Sequence, residues 1–135
     1  MSKYKKAKAK RETLKNTNPD FRPAFAYNTS KAKINGVNHP CYIFQENNND
    51  YVYIQLTTKP LWKWRVNRKT KKKYKKFFTI RLFRNPNPKS SEPSYLVKGA
   101  KRDSRENFDS PKKNWTFSRN DKRIVKREKK KYYSK

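Results

Sequence analysis

The chain has 135 residues, and its 38 Lys or Arg against 10 Asp or Glu give a net charge of +28. One cysteine and one histidine exclude an intramolecular disulfide, a cysteine metal cluster and a His-rich metal site, and two glycines exclude a glycine-rich phosphate loop. A charge this large draws the chain to polyanions: RNA, DNA or an anionic membrane surface. Leu, Ile, Val and Phe make up only 23 residues, a level typical of disordered chains, but nine Tyr and three Trp can supply a small aromatic core.

Met1–Lys15 carries seven basic residues and one acid with no apolar stripe, so residues 1–18 are expected to be a basic flexible tail. A single domain is expected over 19–128, followed by a second basic tail over 129–135, with neither tail contributing to the core. Asn16–Asp20 reads as a turn and Pro23–Tyr27 as a first strand. Asn28–Asn38, with its Asn35-Gly36 pair, reads as a loop. The chain is organised around Asn35–Pro60. There Cys41–Phe44 and Tyr51–Thr58 predict a hairpin closed by the polar run Gln45–Asp50. Val52, Ile54 and Leu56 fall on one face, and Tyr51, Tyr53, Gln55 and Thr57 form an aromatic-polar face opposite.

After Pro60 the composition changes. Lys59–Arg84 holds twelve Lys or Arg, six aromatic residues and no acid. Trp62, Trp64 and Val66 alternate with Lys63, Arg65 and Asn67, which predicts a strand with one bulky and one cationic face. Thr70–Lys76 reads as a basic loop. Phe77–Arg84 reads as a further strand, with Phe78, Ile80 and Leu82 on one face, stopped by the prolines of Asn85–Pro88. Tyr95–Val97 is expected to be one more short strand. Lys98–Lys113 is polar and weakly patterned. Ser118 followed by Asp121 makes a capping box, opening a short helix from Arg119 to about Lys131.

The strongest functional signal is this basic-aromatic band. Trp62, Trp64 and Tyr74 offer π faces to unpaired bases, and Lys63, Arg65, Arg68, Lys69, Lys71, Lys72, Lys73, Lys75, Lys76, Arg81 and Arg84 offer charge to phosphates. His39 is the one imidazole, a group suited to proton transfer near neutral pH. Cys41, between Pro40 and Tyr42, reads as a small buried residue.

Two stretches carry a resemblance. His39-Pro40-Cys41-Tyr42-Ile43-Phe44 is similar to the Arg-Pro-apolar strand of PemK/MazF-type toxins, and Tyr53-Ile54-Gln55-Leu56-Thr57-Thr58 to their strand ending in threonine. The block from Asn85–Pro88 through Tyr95-Leu96 to Trp115–Asp121 is similar to small proteins of Firmicutes plasmids, phages and conjugative elements. The toxin resemblance covers about a third of the chain. It implies a small SH3-like barrel, mainly β, with metal-independent RNA cleavage by a set comprising His39, Thr57 or Thr58, and Arg65. The family's arginine before proline is replaced by His39, which is no bidentate phosphate clamp. The reading is therefore a cytoplasmic nucleic-acid-binding protein, RNA ahead of DNA, with little catalysis and no cofactor or metal. Two alternatives stand beside it. One is a mobile-element inhibitor of a defence nuclease (of the anti-CRISPR or anti-restriction kind), and the other an endoribonuclease toxin held by an acidic antitoxin. No membrane role is expected, since no segment has a sizeable apolar face.

Overall fold

The computed structural model describes residues 20–30 and 38–134. The expected N-terminal tail and the Asn35-Gly36 pair lie outside the described residues. The protein is mainly β, with antiparallel strands and one C-terminal helix. The strands are β1 (Ala24–Asn28), β2 (His39–Asn47), β3 (Asp50–Thr57), β4 (Trp62–Val66), β5 (Lys73–Phe77), β6 (Thr79–Arg81), β7 (Tyr95–Val97) and β8 (Lys101–Ser104). A 3₁₀ turn at Arg105–Asn107 and helix α1 (Arg119–Tyr133) complete the chain.

The main sheet runs β1-β2-β3-β7-β6, and β8 pairs with the first half of β3. β2 and β3 turn tightly through Asn48 and Asn49, where Asn48 takes φ 57. Asparagine tolerates that left-handed backbone, so the polar run closes in two residues and its flanks join the strands. Phe44 is an extra residue in β2, since the register shifts between Ile43 and Gln45. The outer edge of β1 is occupied by chain 107–112. Thr29 N–H donates to Asn107 O, Asp109 N–H to Tyr27 O and Lys112 N–H to Phe25 O. β1 and β6, the two ends of the strand order, do not pair with each other.

Each face of the sheet is buried against something different. Val52, Ile54, Leu56, Phe25, Phe44 and Leu96 meet Leu82, Phe117 and Val125 beneath α1. On the other face Tyr53 is not part of an aromatic-polar surface, as the alternation suggests. It packs with Ala26, Cys41 and Ile43 beneath Phe108, its ring 5.2 Å from that phenylalanine. Cys41 is buried as expected, and burial pushes its thiol up to about 12. Phe77–Arg84 is not one strand either. The strand breaks at Phe78: Lys73–Phe77 pairs with β4, while Thr79, Ile80 and Arg81 pair with β7.

The C-terminal expectation needs correcting too. Helix α1 continues to Tyr133, and Tyr132 and Tyr133 stand edge-on to Phe44 at 5.9 and 6.1 Å. Asp121, Val125, Glu128 and Tyr132 follow the helical period, so one buried stripe runs the length of a helix whose other faces are cationic. Residues 129–133 are therefore helix rather than tail. Removing Tyr132–Lys135 should cost about 2 kcal/mol, the loss of two half-buried aromatic rings. Thermal denaturation measures it, and an unchanged midpoint would show that the tyrosines do not hold the helix down.

Candidate nucleic-acid interface

β4 and β5 pair only with each other and form an arm separate from the main sheet. The arm is rooted where Phe78 N–H donates to Leu61 O (2.9 Å) and Leu61 N–H to Thr79 Oγ1 (3.2 Å). Its tip is built without glycine. Asn67 Oδ1 accepts from the N–H groups of Lys69 and Thr70, Asn67 O accepts from Lys71 N–H, and Lys71 takes φ 60. Lys73–Lys76, the second half of the expected loop Thr70–Lys76, thus belongs to a strand, because pairing with β4 decides its conformation.

The register sorts the side chains onto two faces. Trp62 lies opposite Phe77, Trp64 opposite Lys75 and Val66 opposite Lys73, which makes one aromatic-cationic face. Lys63 opposite Lys76 and Arg65 opposite Tyr74 make the other. Trp62, Trp64 and Tyr74 are therefore not one stacking row, since Tyr74 faces away from the tryptophans. Phe77, absent from the expected set, joins them instead. Its signal in the sequence was its place opposite Trp62, legible only once the turn is known.

Every residue of the arm is exposed. Trp64 keeps 58% of its surface in water and Trp62 40%, an unusual state for rings that could otherwise fill a core. They are nevertheless ordered against each other. Their centroids lie 5.4 Å apart edge to face, and Lys75 Nζ sits 4.5 Å from the Trp62 ring. Arg68, Lys69, Lys71 and Lys72 crown the tip. Among the described residues none of the arm's Lys or Arg forms an ion pair. Lys63 and Lys76 face each other directly, a repulsion that a bound polyanion would relieve. Arg81 and Arg84 lie beyond the arm, on β6 and just after it, and both are exposed. Between them Phe83 is 75% exposed, a second aromatic surface missing from the expected set.

The expected catalytic residues fall on three strands, β2, β3 and β4. His39 opens β2 and Thr57 closes β3, and the β2–β3 ladder stops at Cys41–Gln55, two residues short of both. His39 Nε2 is buried without a hydrogen-bond partner among the described residues, and Thr57 is buried in the pairing with Tyr95. Arg65 is on the arm opposite Tyr74, and no hydrogen bond or ion pair among the described residues joins it to His39 or Thr57. Among the described residues no three His, Cys, Asp or Glu side chains gather as metal ligands, and no helix is long and apolar enough to cross a membrane. No family model, curated protein or solved structure matches the chain.

Proposed function

We propose that this is a nucleic-acid-binding protein of the cytoplasm that holds unpaired RNA, in preference to DNA, along the β4–β5 arm. The observation that carries the reading is the exposed pair Trp62 and Trp64 set among unpaired cations on an arm of its own. Bases stack on the rings at about 1–3 kcal/mol each, while Lys and Arg neutralise phosphates irrespective of sequence. The test is a fluorescence-anisotropy titration of labelled single-stranded RNA at several salt concentrations. With about six phosphates neutralised, log K should fall against log[salt] with a slope of roughly −4. No binding at low salt, or binding indifferent to salt, would remove the reading.

RNA cleavage on a PemK/MazF-like scaffold is the second reading, supported by His39 and Thr57 ending neighbouring strands on one side of the sheet. A lone imidazole cannot act as separate base and acid, and Arg65 sits apart on the arm, so at most slow cleavage is expected. Rapid cleavage of long RNA in EDTA that disappears in His39→Ala would make the protein an enzyme. An acidic protein partner, antitoxin or nuclease, would have to occupy the same cationic arm. Competition against bound RNA separates that case.

A further inference from the structure

A second concave surface shares no residue with the arm. It is a groove of about 560 Å³ between the β1 side of the sheet and α1. Phe25 and Phe117 are nearly buried at its base, their rings 4.9 Å apart. Tyr42 and Trp115 pack on them, at 5.1 and 5.8 Å from Phe25, and each keeps part of its surface open to the groove. The aromatic cluster therefore has a rigid backing and two accessible rings.

Along one wall Lys122, Lys126 and Lys129 recur about once per turn on a single face of α1. Among the described residues no Asp or Glu lines the groove. Lys112, also at its edge, is already paired with Asp109 at 2.9 Å, but no ion pair among the described residues engages the three α1 lysines. Burial holds the Lys129 ammonium below the usual lysine range, so an anion placed beside it would recover interactions lost with water.

We propose that this groove takes one unpaired nucleotide, with the base against Tyr42 and Trp115 and the phosphate on the α1 lysines. Each half of the site excludes a simpler occupant. A free phosphate has no use for the rings, and an apolar peptide has none for three cations. The size suits a small planar ligand, and a duplex, whose bases are stacked on one another, offers no ring to insert. The groove is independent of the arm, because the two share no residue.

The sequence supplies a reporter. Trp62→Phe/Trp64→Phe keeps rings on the arm and leaves Trp115 as the only tryptophan. Titrating this protein with 5′-phosphorylated tetra-adenylate at low salt should quench Trp115 emission saturably. Adding Lys122→Ala/Lys126→Ala, both exposed positions, should raise the half-quenching concentration about tenfold. Tripolyphosphate and tetraglutamate should leave the emission unchanged. Absence of quenching, equal quenching by either control, or an unmoved midpoint in the lysine variant would overturn the site. Failure of the arm to bind RNA would leave this signal intact, so the two readings fail separately.

Discussion

Asp121→Ala should destabilise the protein by about 3 kcal/mol, the largest loss expected for any single side chain outside the apolar core. The carboxylate has no exposed surface. Its Oδ1 accepts from Phe83 N–H at 2.7 Å and its Oδ2 from Arg84 N–H at 3.1 Å, while its own N–H donates to Ser118 Oγ at 3.1 Å. Ser118 caps α1, while the Asp121 carboxylate places a negative charge at the positive end of the helix and pins the turn after β6. Alanine removes the acceptor of two part-buried main-chain hydrogen bonds and the negative charge at the start of the helix. Asparagine keeps one acceptor but turns its NH₂ toward the other donor, so Asp121→Asn should lose somewhat less. Urea denaturation gives both values. A loss below about 0.5 kcal/mol for alanine would mean that the turn finds other acceptors.

The second large effect is on binding. Trp62→Ala/Trp64→Ala should weaken single-stranded RNA affinity at least 30-fold, the equivalent of about 2 kcal/mol for two modest stacks. Stability should hardly move, since both rings are exposed and the arm lies outside the core. The salt slope should also stay constant, because no phosphate contact is lost. Replacing Lys73, Lys75 and Lys76 with glutamine is the complement. It should reduce the slope by about 2 units, the value for three phosphates on a single strand. Affinity within twofold of wild type for the tryptophan pair would show that the rings do not meet bases.

Strands with a clean two-residue alternation were legible in the sequence, as in Tyr51–Thr58 and Trp62–Val66, and so was the Ser118–Asp121 cap. What escaped depends on contacts distant in sequence. Lys73–Phe77 has little apolar pattern and becomes a strand only by pairing with Trp62–Val66. Lys101–Ser104 is polar throughout, yet it pairs with β3 and places Arg102 Nε 2.7 Å from Asp50. Tyr53 is covered by Phe108, which no local pattern announces. Tyr132 and Tyr133 are hidden behind a run of lysines, and only the helical period links them to Val125.

Photo-crosslinking is the most direct test of whether the arm is the interface. Short oligouridine bound to the full chain at low salt is irradiated, and the adducts are mapped by mass spectrometry. Trp62, Trp64 or Phe77 should carry uridine adducts, and these should fade as salt rises. Adducts elsewhere with none on the arm would contradict the assignment.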